Sequence, residues 1–315
     1  MEGTIQVPGY EIQSRIGDTA LTEVWRAWQP ALQRQVALKV LKAGVSEDPE
    51  TVERFIGEAR EVANLRHPAI VAIYNVMRHE GLHIVVMEHA EGPTLHEVLT
   101  QRGRVPWARS AEIAWLVADA LRHAWDQSQL IHRCVSPASI RIEPGGAVKL
   151  AYMGLSLCVD PERMRWPLEP GSVEGVPYYM SPEQARGSVD LDFRTDMYGL
   201  GATLYHMTTG MMPFGDQDPM GAIRCQLESQ LPNPVRFCPD LPPALLHTMA
   251  KLMRRDPSER HRDWADAIAE LRRAGSGHMI FQKQVRAVPS VIDTAPPAKA
   301  RAARARPRMV LKKKG

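Results

Sequence analysis

The chain has 315 residues, 44% hydrophobic and 24% charged, enough apolar material for one large two-lobed domain or two ordinary ones. The start, Met1-Glu2-Gly3-Thr4, has neither the basic residues nor the apolar run of a secretory signal, and no apolar run approaches the roughly 20 residues that span a bilayer, so a cytoplasmic protein without a transmembrane segment is expected. The four cysteines, Cys134, Cys158, Cys225 and Cys238, form no C-x-x-C pair and no zinc-spaced cluster; they read as reduced thiols. The net charge of +3 is unevenly spread. From Lys283 onward ten basic residues face one acid, Asp293, which leaves a body of net −6 carrying a basic tail.

In chain order, residues 10–40 read as short strands: Glu23-Val24-Trp25-Arg26-Ala27-Trp28 alternates, and Val36-Ala37-Leu38-Lys39-Val40 is apolar but for one lysine. Residues 49–65 carry Val52, Phe55, Ile56, Ala59, Val62 and Ala63 at helical spacing behind the start signals Asp48 and Pro49. Apolar runs at 69–74 and 82–87 add strands, and Glu91-Gly92-Pro93 breaks the pattern. Beyond the break the chain turns helical at 111–125, 193–208, 244–252 and 264–273, with Pro106 near the first of these helix starts. From Ala274 the composition shifts to Ala, Pro, Arg and Lys, and a disordered tail is expected over 274–315.

Several motifs fall in a fixed order along this outline. Val36-Ala37-Leu38-Lys39 is followed by Glu58 in the first helix, by Val86-Met87-Glu88-His89-Ala90-Glu91-Gly92 and by Ile131-His132-Arg133-Cys134-Val135-Ser136-Pro137-Ala138-Ser139. Gly175-Val176-Pro177-Tyr178-Tyr179-Met180-Ser181-Pro182-Glu183, Asp196 and Arg260 complete the series. In this order they resemble the bacterial Hanks-type serine/threonine protein kinases over roughly residues 10–273. The resemblance implies an α+β, two-lobed protein kinase-like fold. Its N-lobe, residues 10–89, is an antiparallel sheet plus one helix, and its C-lobe, residues 92–273, is mainly helical. It also implies a nucleotide pocket from Ile16, Val24, Ala37, Lys39, Glu58 and Met87, with Met87 as gatekeeper, and an ion pair of Glu183 with Arg260.

The departures from the family fall on its chemistry. In H-R-D-x-K-P-x-N the Asp accepts the proton of the attacking hydroxyl and the Asn holds magnesium; here Cys134, Ser136 and Ser139 stand at the Asp, Lys and Asn positions. The D-F-G aspartate, a metal ligand, is Tyr152 in Tyr152-Met153-Gly154, and a neutral phenol is a poor ligand for a hard cation. G-x-G-x-x-G keeps only Gly17, with Thr19 and Thr22 at the other glycine positions. The threonine that contacts the catalytic Asp and Lys in relatives is Val176, so three contacting positions change together. No catalytic residue and no metal ligand is therefore expected.

Arg141 takes the place of the apolar floor under the adenine, where a guanidinium either obstructs the slot or stacks on the base. Lys39 and Glu58 fit either an ion pair tying helix to sheet or a phosphate contact. His132 and Met153 read as core. Arg133 pairs in relatives with a phosphorylated segment, which here offers the hydroxyls of Ser156, Ser172, Tyr178 and Tyr179; these read equally as solvated loop groups. The tryptophans read as packing residues.

The resulting expectation is a pseudokinase that acts by binding a protein partner, an active kinase or a component of its pathway. No cofactor is required, and weak metal-independent ATP binding stays open as a sensor alternative. A further alternative is an atypical transferase with relocated acids such as Asp126 or Asp160. The basic tail suits nucleic acid or an anionic surface, or is simply solvated.

Overall fold

The computed structural model describes residues 5–19, 21–151, 157–158 (backbone course only) and 175–276. Five strands, β1 (Glu11–Asp18), β2 (Thr22–Gln29), β3 (Arg34–Leu41), β4 (Ile73–His79) and β5 (Leu82–Glu88), form an antiparallel sheet ordered β1-β2-β3-β5-β4. Alternation sorts their side chains. Ala27, Val36, Leu38, Val40, Ile84 and Val86 pack on one face, while Leu41 and Val85 meet helix α1 (Pro49–Ala63) through Phe55 and Ala59 on the other. Asp48 caps α1 by accepting from Thr51 N–H at 3.1 Å, and Pro49 occupies the first turn, as the start signals predict.

The apolar run at 69–74 is a strand only from Ile73 onward. Its first half is a buried crossing between lobes: Leu150 N–H donates to Ala69 O at 2.7 Å and Val71 N–H donates to Leu150 O at 3.0 Å. Hydrophobicity there reflects burial against the second lobe, which local periodicity does not distinguish from a strand.

The second lobe contains α2 (Leu95–Arg102), α3 (Trp107–Ser128), the short strands β6 (Leu130–Ile131), β7 (Ile140–Ile142), β8 (Val148–Leu150) and β9 (Leu157–Cys158), and α4 (Pro182–Ala185). Helices α5 (Phe193–Thr209), α6 (Pro219–Glu228), α7 (Pro243–Leu252) and α8 (Trp264–Ser276) follow. Helix α5 is buried almost from end to end, so it carries no polar stripe facing solvent and its buried polar residues, Asp196 and His206 among them, take partners inside the lobe. Ile113, Val117 and Leu121 of α3 join Leu200 and Leu204 of α5 and Leu271 of α8 in one core. Trp125, Phe193 and Trp264 pack in series with their ring planes tilted by about 50°, centroids 5.1 and 6.3 Å apart.

Helices α2 and α6 lie outside the sequence expectations, although both carry start signals: a Thr94–Glu97 capping box and the pair Asp218-Pro219. The last helix runs three residues past the predicted end at 273, because Ala274 still faces the core. Among the described residues no helix is long and apolar enough to cross a membrane, and Cys134, Cys225 and Cys238 are free thiols.

Candidate functional site

The segment after β6 is held from beneath. Asp196, fully inside α5, accepts the N–H groups of His132 (2.7 Å) and Arg133 (2.8 Å), which fixes the loop's entry. Burial pushes Asp196 up to about 7 against the pull of those donors. Arg133 sits at φ 63, an uncommon conformation for a side-chain-bearing residue, and its carbonyl accepts from Gln184 Nε2 at 3.0 Å. His132 Nδ1 accepts from Cys134 N–H at 3.2 Å, so Nε2 carries the hydrogen and donates to Ala151 O at 3.0 Å. Burial lowers this imidazole to about 4, so it is neutral. Gly199 makes room underneath, since a Cβ there would lie 3.1 Å from Val135 O.

Cys134, Ser136 and Ser139 fall on this frame. Cys134 is buried, and that burial pushes its thiol up to about 11, with Asp196 and Glu58 adding to the rise. A group that holds its proton throughout the physiological range cannot accept one from a hydroxyl. Ser139 Oγ donates to Ser136 O at 2.9 Å and accepts from Ser136 N–H at 3.2 Å. Its hydroxyl is thus committed to the turn's own backbone. Cys134 and Val176 line one void too small to hold a water, together with Met180 and Tyr179; Ser136 is not part of it. Tyr152, Met153, Gly154, Ser156, Asp160 and Ser172 lie outside the described residues. Among the described residues no cluster of three or more His, Cys, Asp or Glu is placed to hold a metal.

The turn between β1 and β2 is closed on itself. Thr19 N–H donates to Thr22 O at 2.8 Å, and Thr22 N–H donates to Thr19 Oγ1 at 2.9 Å. The two N–H groups at the altered glycine positions are therefore satisfied within the turn, where a phosphate cradle would leave them outward. Asp18 adds a carboxylate to the same turn, 2.6 Å from Lys42 and 3.0 Å from Arg15, and its hydrogen bond with Lys42 lowers its pKa.

Strand register brings the expected pocket residues together. Val24 faces Lys39 across β2 and β3, and Ala37 faces Met87 across β3 and β5, which puts all four on one face of the sheet. Ile16 falls at a bulge in β1, between Arg15 and Gly17. The ion pair considered for Lys39 and Glu58 is not formed among the described residues. Lys39 Nζ instead lies 5.7 Å above the ring of Phe55, one turn ahead of Glu58 on α1. At that distance the aromatic face attracts the ammonium through its quadrupole. Both charges remain near enough to act on His132 and Cys134.

Arg141 is tied to the linker between the lobes. Its Nη1 donates to Gly92 O, at the far end of the linker between the lobes, at 2.7 Å. Its charge reaches His89 and Glu97; burial and that charge lower His89. Gly92 is required here, with φ +86 and an added Cβ only 2.2 Å from Ile142 O. The linker thus lies directly on β7, within reach of the guanidinium. Asp126, considered as a relocated acid, is exposed near the end of α3, where its charge acts on His123.

The predicted ion pair between Glu183 and Arg260 is present and bidentate, at 2.6 and 2.8 Å. Thr195 Oγ1 also donates to Glu183, and Arg260 donates to the carbonyls of Arg194 and Arg254. Two contacts escaped sequence reading because they join distant segments. Tyr179 OH shares a hydrogen bond with His206 Nδ1 at 2.6 Å, and Gln226 Nε2 donates to Pro177 O and Tyr178 O at 3.3 and 3.1 Å.

The protein kinase domain family matches residues 10–270. A probable serine/threonine-protein kinase of Clostridium perfringens is 33% identical over 271 residues, covering 86% of this chain and 39% of the relative. Serine/threonine-protein kinase PrkC of Bacillus subtilis is 30% identical over 275 residues, covering 87% and 42%. PknA of Mycobacterium tuberculosis is 34% identical over 271 residues, covering 84% and 61%, so the chain spans only part of each relative's length. The crystal structure of the Mycobacterium tuberculosis PknI kinase domain superposes with a TM-score of 0.67 at 25% identity, covering 86% of this chain and 98% of that one. Two lobes joined by a linker, a loop anchored on Asp196 and a buried Glu183–Arg260 pair agree with that relationship: the chain belongs to the protein kinase domain family.

Proposed function

We propose that the chain is a pseudokinase, a kinase-fold protein that transfers no phosphate and acts by binding a protein partner, an active kinase or a component of its pathway. The observation that carries this reading is the state of Cys134: a buried, protonated thiol at the base position. The inward-bonded hydroxyl of Ser139 and the self-closed turn at Thr19 and Thr22 support it, since phosphoryl transfer depends on charge neutralisation and positioned donors. Magnesium fits poorly, because Ser139 is spent on its own turn. The sensor alternative draws on Lys39, which stays on the pocket face with no ion pair among the described residues.

The deciding experiment is transfer from labelled ATP with magnesium, by the full chain and by Lys39→Ala, beside thermal melts with ATP alone and ATP plus magnesium. No turnover and no magnesium-dependent rise in melting temperature are expected. Turnover abolished by Lys39→Ala overturns the pseudokinase reading; a rise with ATP alone that Lys39→Ala removes selects the sensor. The basic segment from Lys283 is proposed as a polyanion contact, tested by retention on heparin with and without residues 277–315.

A further inference from the structure

The helical lobe holds a cavity of about 440 Å³ away from the cleft between the lobes, walled by α5, α6, α7 and residues 229–234. Its volume lies in the range that takes small organic ligands. Tyr205, Phe214 and Met249 form a buried apolar floor, and Leu231, Leu246 and Met253 extend it toward solvent. Two polar side chains of the inner wall are already engaged: Tyr198 OH donates to Gln226 Oε1, and Gln226 Nε2 donates to Pro177 O and Tyr178 O. An occupant's inner part therefore meets no open donor from these groups and is best apolar.

The rim differs from the floor. Arg254 and Arg255 stand exposed at the opening, against one acid, Glu259, and Arg236 lies within electrostatic reach of Tyr205. Arg255 donates to Ser229 O, which fixes it on the rim, while Arg254 has no ion pair among the described residues. Planar guanidinium groups pair with carboxylate or phosphate oxygens in fork geometry.

We propose that this cavity binds an acidic amphiphile, its carboxylate or phosphate head on Arg254 and Arg255 and its short apolar body against Tyr205, Leu246 and Met249. The occupant then rests on Tyr198 and Gln226, whose bonds hold the backbone at Pro177 and Tyr178. Occupancy is read out as stiffening of that segment, which is the end of the loop that carries Val176.

The test is calorimetric titration of the full chain with decanoate, decyl phosphate, decanol and decylamine, each below its micelle concentration. Saturable one-to-one binding of at least one anion is expected, roughly tenfold tighter than decanol, the worth of one charge-assisted hydrogen bond. Comparing the two anions identifies the head group. Arg254→Glu removes the preference for the anion. Ala250→Trp, at an exposed position on the cavity wall, abolishes binding while keeping the parent's melting temperature; Leu246→Trp is the second blocking variant. Amide exchange at Tyr178 and Tyr179 slows on binding. Absence of saturable binding by either anion, equal binding of decanol, or undiminished binding in both folded blocking variants overturns the proposal. Unchanged exchange at Tyr178 and Tyr179 overturns the link to that segment.

Discussion

Cys134 and Arg260 show how burial decides what a single residue does. Water is excluded from both, yet the thiol stays neutral while the guanidinium stays charged, because Glu183 offers two oxygens in fork geometry. Replacing Arg260 by Ala leaves a buried carboxylate unpaired, so the unfolding free energy measured in urea should fall by about 3–5 kcal/mol. The thiol carries the opposite prediction. Iodoacetamide at pH 8, with peptide mapping, should leave Cys134 unmodified in the native protein and label it in urea, since the thiolate is the nucleophile and burial suppresses it. Cys134→Asp should not create phosphoryl transfer, because Ser139 still offers no metal ligand. The type of each of these residues is plain in the sequence; their burial is not.

The turn between β1 and β2 illustrates the element scale. Two threonines at glycine positions are legible in the sequence as added bulk, but the sequence does not say that their hydroxyls and carbonyls consume the turn's own N–H groups. The double variant Thr19→Gly/Thr22→Gly should open the turn, with amide hydrogen exchange at residue 22 accelerating at least several-fold, since Thr22 N–H loses its hydroxyl acceptor. At the start of α2, Thr94→Ala removes a reciprocal cap and should cost about 1 kcal/mol in chemical denaturation. That cap was readable as Thr94 and Glu97 three residues apart. The helix behind it escaped attention because its apolar stripe is short.

Across the whole molecule, acid stability follows from buried neutral imidazoles. His132 and His206 are both lowered to about 4, and His83, His89, His123 and His261 are lowered too, burial being the leading cause in each. Between pH 6.5 and 4 the unfolded chain therefore binds more protons at these sites than the folded one. Stability contributed by their neutrality is intact above 6.5 and is lost as pH falls toward 4. Asp196, raised to about 7, works the other way: the folded state binds its proton more tightly, so its contribution falls as pH rises through that window. One carboxyl opposes several imidazoles, so unfolding midpoints in urea should drop steadily from pH 6.5 to 4.

Residue type and order were enough for the family, the two-lobed order, the Asp48 and Pro49 helix start and the Glu183–Arg260 partners. These are properties of residue type and spacing along the chain, and short-range geometry converts them directly into structure. The tertiary structure alone decided that Lys39 sits over Phe55 rather than beside Glu58, that Arg141 grips Gly92 O, and that residues 69–71 cross between lobes. Each depends on which distant segment arrives alongside, and on how much water that arrival removes. No local pattern encodes either quantity.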